Sequence, residues 1–240
     1  MAGGLSDRLQ VIADQVTPGG CTADIGTDHG YIPIYLISEG IADKVIMTDV
    51  SPGSLDKAKY NVRERLPDAN GIEARLGDGL DPLAAGECGT VVIAGMGGLL
   101  IRDILDWDLK KTKTFSNFVL QPRTKAGALR KWLLQNGFEI EKDLLAREGK
   151  RVSEIIKAAP RKDGGSAGAG GDEMAFVYPD DLADPFGGDL VCAYLCGELR
   201  KYRAILAQIE ENDGPDRVKE PIRKRIGRLE DLCGKKNCSV

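Results

Sequence analysis

The sequence predicts an α/β protein with a doubly wound, mostly parallel sheet, followed by a C-terminal helical hairpin. Two observations support this fold class. Short apolar runs alternate with helical patterns over the first 160 residues, which is typical of parallel strands joined by crossover helices. Two later stretches repeat apolar residues at intervals of three and four, which is typical of helices that pack against each other.

The predicted parallel strands are short apolar runs that end in glycine, acidic or amide residues. They cover residues 21–25, 44–48, 72–76, 90–94 and 117–120. Helical patterns cover residues 5–16, 31–39, 51–65, 99–105 and 126–136. Ser51 and Pro52 are typical of a helix start, since serine caps the free amides and proline has a helical φ. Two further runs, 139–147 and 151–158, are separated by a glycine-containing turn, which predicts an antiparallel pair at the end of the sheet.

The remaining chain is predicted to form a hairpin of two helices. Its apolar seams are Leu195, Leu199, Tyr202, Leu206 and Ile209 in the first helix and Ile222, Ile226, Leu229 and Cys233 in the second. In the alternative, both helices pack on the sheet, but the regular spacing favours the hairpin. Residues 161–172 are rich in glycine and predict a loop or linker. We therefore expect an α/β domain over 1–160, a junction over 161–186 and the hairpin over 187–240.

The composition is that of a globular protein and argues against disordered and membrane-spanning classes. Hydrophobic residues make up 42% of the chain and charged residues 29%. No apolar run approaches the ~18–20 residues that span a bilayer. The N-terminus lacks the basic start and apolar stretch of a signal peptide. We expect a cytoplasmic protein without a membrane partner.

The net charge of −4 is unevenly distributed. Residues 217–236 contain eight basic and three acidic side chains, a net charge of +5, so the rest of the chain carries −9. A basic tail on an acidic body fits a nucleic-acid partner weakly. A solvated helix face explains the same charges equally well.

The chain has six cysteines and one histidine, and no two cysteines form a C-x-x-C pair. A zinc site would need four of the thiols to converge. We therefore expect reduced cysteines that pack as small apolar residues, and no metal.

Carboxylates stand at the ends of the first three predicted strands, where a doubly wound sheet binds its ligands. Asp24 and Asp28 lie in the first loop with Gly26, Asp49 follows 25 positions after Asp24, and Asp78 lies in the third loop, just after the third strand. Carboxylates repel phosphate, so a dinucleotide is disfavoured, whereas the cationic sulfonium and amino groups of S-adenosylmethionine fit. The loop is not G-x-G-x-x-G. Each acid alone is also typical of a cap or turn, but three in such places favour a ligand site.

The fourth loop consists of Ala94, Gly95, Met96 and Gly97 and is nearly bare backbone. Such a loop lets a flat substrate approach the methyl donor, although close packing of helix on sheet needs glycine as well.

The fifth loop places Gln121, Pro122 and Arg123 at the same rim, where an amide and a guanidinium can grip a base or a phosphate, or remain solvated. His29, the lone histidine, is not expected to act as a base. Tyr31 can stack on a base or pack at the start of its helix.

Several motifs, taken in order, resemble the bacterial tRNA (adenine-22-N1)-methyltransferases, the TrmK family. They are Asp24-Ile-Gly-Thr-Asp-His-Gly-Tyr-Ile-Pro, Thr48-Asp-Val, Gly77-Asp-Gly-Leu, Ile93-Ala-Gly-Met-Gly-Gly and Leu120-Gln-Pro. The match runs over residues 5–158, and the helical hairpin agrees with the C-terminal coiled coil of that family. The first and fourth motifs are the specific ones.

The resemblance implies a Rossmann-like class I methyltransferase fold and methyl transfer from S-adenosylmethionine to N1 of an adenine in tRNA, adenine 22. We expect the cofactor to be bound by Asp24, Gly26, Asp28, His29, Asp49, Asp78, Gly79 and Ala94. The methionine end would lie at the first loop, the ribose at Asp49 and the adenine at Asp78. The reacting base would meet Asp28 and the backbone of Gly95, Met96 and Gly97, which would stabilise the cationic product.

We expect the tRNA to be bound by Tyr31, Gln121, Pro122, Arg123, Arg225 and Arg228, the last two from the basic second helix. Two other functions remain open: a methyltransferase for a small molecule or protein, and a non-catalytic RNA-binding module with a degenerate cofactor pocket. A dehydrogenase is disfavoured by Asp24 and Asp28. The chain is expected to be a monomer or a weak homodimer formed through the hairpin.

Overall fold

The computed structural model of the chain describes residues 4–68, 70–163, 165 and 173–239. Within them, seven strands form one sheet in the order β3-β2-β1-β4-β5-β7-β6. The strands are β1 (Cys21–Ile25), β2 (Lys44–Asp49), β3 (Ile72–Leu76), β4 (Thr90–Gly97), β5 (Asn117–Thr124), β6 (Phe138–Glu148) and β7 (Arg151–Pro160). The helices are α1 (Asp7–Asp14), α2 (Tyr31–Ser38), α3 (Pro52–Arg65), α4 (Gly98–Asp106), α5 (Leu109–Thr112), α6 (Ala126–Gln135), α7 (Glu173–Val177), α8 (Leu190–Glu211) and α9 (Asp216–Lys235).

The first five strands are parallel, and β7 and β6 complete the sheet as an antiparallel pair. The strand order reverses between β1 and β4, because the chain runs outward to β3 on one side and to β5 on the other. A crevice therefore opens at the carboxyl ends of β1 and β4, which is where doubly wound sheets bind ligands. The predicted doubly wound sheet is confirmed.

Helices cover both faces of the sheet. Val91 and Ile93 of β4 pack in one apolar core with α4 and α6, and Val92 between them packs in a second core with α1 and α2. Because both faces of the central strands are buried, these strands appear in the sequence as continuous apolar runs. In the part of the chain that the structure describes, no helix is both long and apolar enough to cross a membrane.

Some element boundaries differ from the prediction. The first helix covers Asp7–Asp14 rather than 5–16, because the Ser6 side chain accepts the Leu9 amide and caps it. β4 and β5 continue to Gly97 and Thr124, with irregular register at the end of β4. The helices α5 and α7, four and five residues long, were not predicted, since so few residues show no helical period.

The predicted helical hairpin is present. α8 and α9 are joined by a short turn, and Asp213 in that turn has φ +48°. Leu195, Leu199 and Leu229 are buried near the base of the hairpin, whereas Leu206 near the tip is half-buried. The base of the hairpin therefore holds most of its core.

The residues between the sheet and the hairpin pack on the α/β domain. Ala183 pairs with Leu144 of β6, donating its amide to the Asp143 carbonyl (3.0 Å) and accepting the Leu145 amide (2.8 Å). Leu182 is buried beside Leu145. Residues 164 and 166–172 of the predicted loop lie outside the described residues. The division into domains stays a prediction, but residues 173–189 are not a free linker.

A buried ion network also links the hairpin to the sheet. The Arg130 guanidinium on α6 lies 2.7 Å from Asp143 and 2.6 Å from Glu154, and it donates to the Phe176 carbonyl at 3.1 Å. Tyr194 of α8 donates to Glu154 at 3.1 Å. Burial opposes the charge of Arg130, but the two carboxylates outweigh it and raise its pKa. This network was not predicted.

The cysteines contradict one expectation. Cys192 on α8 and Cys238 after α9 are joined by a disulfide across 46 residues, so the pair is not reduced in this structure. Cys21, Cys88, Cys196 and Cys233 are free. The pairing depends on how the two helices pack, which the spacing along the chain does not reveal.

Candidate active site

Asp24, the penultimate residue of β1, is a buried carboxylate, only 5% exposed. Its Oδ2 accepts a hydrogen bond from the Thr27 hydroxyl at 2.7 Å. Burial raises the pKa of Asp24 to about 6; the Thr27 hydrogen bond opposes that rise, and the charge of Asp49 adds to it. Near neutral pH this carboxylate is largely ionised at an energetic cost, and a nearby cation would relieve that cost.

Asp49 at the end of β2 is nearly as buried, at 9% exposure. It accepts the amide of Ser51 at 2.8 Å and the amide of Asp28 at 3.4 Å. These bonds connect the first and second loops. Among the residues that the structure describes, no basic side chain pairs with Asp24 or Asp49. The crevice thus contains two acids without a countercharge.

Gly26 brings the first loop close to the fourth. Its φ is +71°, a conformation that L residues with a side chain rarely adopt, and a Cβ at this position would collide with Met96 of β4. Its amide donates to the Thr48 carbonyl at 2.8 Å. The tight turn that the glycine pattern predicted therefore places β1, β2 and β4 side by side at the crevice.

Asp28 and His29 lie at the outer rim of the first loop. The Asp28 side chain is 57% exposed, 2.6 Å from Nδ1 of His29 and 3.2 Å from the Lys57 ammonium on α3. Burial acts to raise the pKa of Asp28, but its hydrogen bonds and charge interactions with Lys57 and His29 outweigh burial and hold the pKa below its usual value. Its backbone amide, rather than its carboxylate, contacts Asp49.

Tyr31 stacks on His29, with ring centroids 5.2 Å apart, and the Arg65 guanidinium lies 5.2 Å from the Tyr31 ring centre. Its side chain is partly exposed at the rim. Tyr31 is thus available to a ligand at the outside of the crevice rather than in its interior.

The third loop borders a cavity of about 200 Å³. Asp78 and Gly79 line it on one side, and Leu100 and Ile104 of α4 on the other. Gly79 has φ +47°, and a Cβ there would press on Ile104. The cavity combines apolar walls with the carboxylates of Asp78, Asp81 and Asp103, a composition that suits a flat heterocycle carrying an amino group.

The fourth and fifth loops form a second cavity of about 230 Å³, lined among others by Gly95, Pro122 and Arg123. Gln121 is buried, and its Oε1 accepts the Gly95 amide at 3.0 Å and the Arg8 guanidinium at 3.2 Å. Gly95 has φ +79°, and the space where its Cβ would lie is open. The structure therefore brings together the predicted residues of these two loops.

Arg8 was missed by the sequence analysis. It lies on α1, and it also pairs with Glu148 of β6 at 2.8 Å. Its contact with Gln121 joins residues 113 positions apart. No local pattern in the sequence marks Arg8, because only the packing of α1 against the end of the sheet brings it to the cavity.

The hairpin arginines differ in their availability. Arg225 hydrogen-bonds to the Tyr202 hydroxyl and lies over the Tyr202 ring, 4.7 Å from its centre. Arg228 was expected to contact tRNA, but its side chain is 10% exposed, donates to the Tyr178 carbonyl at 2.7 Å and pairs with Asp180 at 3.1 Å. Contact between Arg228 and tRNA stays a prediction, but the Arg228 guanidinium already has structural partners.

Other cations of α9 remain accessible. Arg217 and Lys224 are exposed and Lys219 is half-buried, and none of the three forms an ion pair within the described residues. These three side chains, rather than Arg228, offer free positive charge on the hairpin.

Comparison with known proteins agrees with this architecture. A family model described as a methyltransferase domain matches residues 5–156. The chain is 30% identical over 229 residues to the tRNA (adenine(22)-N(1))-methyltransferase of Bacillus subtilis (strain 168), covering 95% of both chains. The crystal structure of the B. subtilis M1A22 tRNA methyltransferase TrmK superposes with a TM-score of 0.76 at 27% identity, covering 95% of this chain and 98% of that one.

The structure of M. capricolum TrmK in complex with S-adenosyl-homocysteine superposes with a TM-score of 0.77 at 26% identity, covering 95% of this chain and 96% of that one. Both the sheet and the C-terminal helical pair are therefore shared with solved relatives, and the predicted Rossmann-like methyltransferase fold is confirmed. The chain belongs to the methyltransferase-domain family and, within it, to the family of the tRNA (adenine-22-N1)-methyltransferases, TrmK.

Proposed function

We propose that this protein transfers a methyl group from S-adenosylmethionine to N1 of adenine 22 in tRNA. The observation that carries the proposal is the buried pair Asp24 and Asp49. These two carboxylates lie at the crevice where the strand order reverses, and neither has a basic partner among the described residues. Such a pair suits a ligand that carries positive charge and no phosphate. The family relationship supplies the tRNA and the position of the adenine.

The residues of the crevice fit this cofactor. Asp24 and the backbone around Gly26 and His29 would hold its charged methionine end, and Asp49 its ribose. When bound, S-adenosylmethionine supplies an electrophilic methyl group on a positively charged sulfur. The Asp24 carboxylate, whose pKa is raised mainly by burial, would then gain a counterion.

The adenine of the cofactor would occupy the cavity at the third loop. Asp78 would accept its amino group, and Gly79 and Ala94 would pack against its faces. Leu100 and Ile104 supply apolar walls on the far side of the cavity. The glycines of the third and fourth loops keep bulky side chains away from both faces of the base.

The target adenine would enter the cavity beside Gln121, where the bare backbone of Gly95, Met96 and Gly97 allows close approach. The Gly95 amide and Arg8 hold Oε1 of Gln121, so its amino group is left to donate to the base. N1 already carries a lone pair, so orientation, more than proton removal, would accelerate its attack. Methylated N1 is cationic, and Asp28, ionised at the rim, would stabilise that charge.

The tRNA body would lie along the hairpin and the adjoining cleft. Arg217, Lys219 and Lys224 of α9 would contact phosphates, with an affinity that falls as salt rises. A cleft of about 600 Å³ opens between α6 and the hairpin and is lined by Lys131 and Arg225, among other residues. A location in the cytoplasm, where tRNA is modified, is part of the same proposal, as is a monomer or weak homodimer.

The decisive experiment measures transfer of labelled methyl from S-adenosylmethionine to unmodified bacterial tRNA. The product nucleoside is identified by mass spectrometry, and a tRNA with guanine at position 22 is the matched control substrate. We expect N1-methyladenosine in the first tRNA and none in the control. Cofactor binding without transfer to any tRNA would favour a small-molecule or protein acceptor, and the absence of cofactor binding would favour a non-catalytic RNA-binding module.

The role of Gln121 is tested with Gln121→Ala. This variant removes the donor to the base and the acceptor of the Gly95 amide, but it touches none of the cofactor carboxylates in the first three loops. We therefore expect methyl transfer to fall at least ~10-fold, in line with the loss of one oriented hydrogen bond. Binding of S-adenosylhomocysteine, measured by calorimetry, should stay within ~2-fold of wild type, a free-energy change of under ~0.5 kcal/mol. Unchanged transfer would remove Gln121 from the proposed substrate site.

A further inference from the structure

Four of the six cysteines converge at the base of the hairpin. The Sγ atoms of Cys196, Cys233 and Cys238 all lie within 4.8 Å of one another. Cys192 is bonded to Cys238, so its sulfur belongs to the same cluster. We call these four residues the cysteine cluster. Three of the four sulfurs thus lie mutually close, and the fourth is held beside them by its bond to Cys238.

The backbone brings each of these side chains to one place. Cys192 and Cys196 lie four residues apart on α8 and therefore share a helix face. Cys233 lies in the last turn of α9, and the chain then reverses at Asn237, which has φ +54°.

The reversal after α9 is a Schellman motif. The Cys238 amide donates to the Cys233 carbonyl at 2.9 Å, and the Asn237 amide donates to the Gly234 carbonyl at 3.2 Å. This arrangement turns the tail back over the last turn of the helix. Cys238 is thereby held beside Cys233, instead of pointing away along the helix axis.

The disulfide does not account for the whole cluster. Cys196 and Cys233 are 5% and 2% exposed and keep free thiols beside the bonded pair. A disulfide uses two sulfurs and gives no reason for two more at the same point. Four thiolates around Zn²⁺ at ~2.3 Å would place the sulfurs ~3.8 Å apart in a tetrahedron, which is compatible with the spacing of Cys196, Cys233 and Cys238. Cys192 would supply the fourth sulfur once its bond to Cys238 opens.

We propose that the cysteine cluster binds one zinc ion when all four residues are reduced. The disulfide of this structure is then the oxidised form of the Cys192 and Cys238 ligands. A thiol reductant supplies two electrons and two protons to open it into two thiols. The four thiols release four protons as they coordinate one Zn²⁺.

The ion would fasten the C-terminal tail and the end of α9 to the start of α8. At its other end the hairpin is already closed by the short turn at Asp213. A zinc site at the base would therefore fix both ends of the two helices and hold the basic face of α9 in place relative to α8. This inference does not depend on the identity of the methyl acceptor.

The test uses the full chain, purified with a thiol reductant and without chelators. Metal content is measured by mass spectrometry, and we expect one zinc per chain. Cys196→Ser and Cys233→Ser each remove one ligand and should lose most of the zinc. Cys21→Ser removes a thiol of the α/β domain, outside the cluster, and should retain it.

A cobalt titration of the reduced, metal-free wild-type chain keeps the test independent of how the variants fold. Binding should saturate at one Co²⁺ per chain, with thiolate-to-metal charge-transfer and tetrahedral ligand-field bands and with release of protons. A reduced chain that keeps its native circular dichroism but binds neither zinc nor cobalt would overturn the proposal. Equal zinc loss in Cys21→Ser and in the cluster variants would overturn it as well.

Discussion

Replacing Asp24 with asparagine is expected to stabilise the ligand-free protein while it weakens cofactor binding. The carboxylate is buried without a counterion among the described residues, and an amide of nearly the same shape keeps the hydrogen bond from Thr27. The variant thus removes a buried charge with little change in packing. We therefore expect higher stability of the ligand-free protein together with lower affinity for the cofactor. Such opposite effects are common at sites that bind a ligand at the expense of stability.

The magnitude follows from the pKa. The pKa of Asp24 rises from 3.8 to about 6 in the folded chain. Each tenfold change in an equilibrium constant is worth ~1.4 kcal/mol, so the charged form costs the folded state about 3 kcal/mol. Because the pKa is raised on folding, the free energy of unfolding of the wild type falls as pH rises from about 4 to about 6. Above that range the fall is complete.

The assay is urea unfolding of wild type and Asp24→Asn between pH 5 and pH 8. The variant should be more stable than wild type by about 3 kcal/mol at pH 8 and by about half of that at pH 5. Its affinity for S-adenosylhomocysteine should fall ~10- to 100-fold, from the ~1.5–3 kcal/mol of a hydrogen bond to a charged group. A stability difference that does not change with pH, or a less stable variant at pH 8, would refute the reasoning.

Asp28→Asn is the matched control on the same loop. Its pKa is lowered, chiefly because the hydrogen bonds and charges of Lys57 and His29 outweigh its slight burial. The stability contributed by Asp28 is therefore present near neutral pH and lost as pH falls. This control should destabilise the protein slightly at pH 8, opposite in sign to Asp24→Asn.

Three further predictions concern the turn, the ion network and the hairpin. Gly26→Ala adds a Cβ at φ +71° against the fourth loop. It should lower the free energy of unfolding in urea by ~1–3 kcal/mol and weaken cofactor binding, and wild-type values of both would contradict the strained turn. Arg130→Met leaves two acids without their cation and should cost ~3–5 kcal/mol, whereas a loss below ~1 kcal/mol would show that the network is not stabilising. Arg217→Glu with Lys224→Glu should weaken tRNA binding at least ~10-fold and flatten its salt dependence while cofactor affinity is kept, and unchanged tRNA affinity would exclude this face of α9.

Local signals account for what could be predicted. Apolar runs, caps and turns depend on residues close together in the chain, so strands such as Cys21–Ile25 and the turn at Gly149 appear in the structure where they were expected. The acids at the strand ends were predicted to meet because the carboxyl ends of parallel strands share one edge. Asp24 and Asp49 do meet there, close enough for the charge of one to raise the pKa of the other.

The direction of a side chain is harder to predict than its position. Asp28 belongs to the predicted loop, yet its carboxylate faces Lys57 on α3, because φ +45° turns the backbone at that residue. Arg228 lies on the predicted basic helix, but its guanidinium bonds to the Tyr178 carbonyl. In both cases the partner comes from another element, and helical or strand periodicity contains no information about it.

By itself, the sequence determined the fold class, the hairpin and the loops that form the crevice, because each depends on short-range patterns and on the fixed handedness of strand–helix–strand units. Only the tertiary structure decided which distant side chains meet. Arg8 reaches Gln121 across 113 positions, and Cys192 reaches Cys238 across 46. Such contacts depend on how whole helices pack on the sheet and on each other, and that packing is settled by the summed burial of many residues rather than by any one motif.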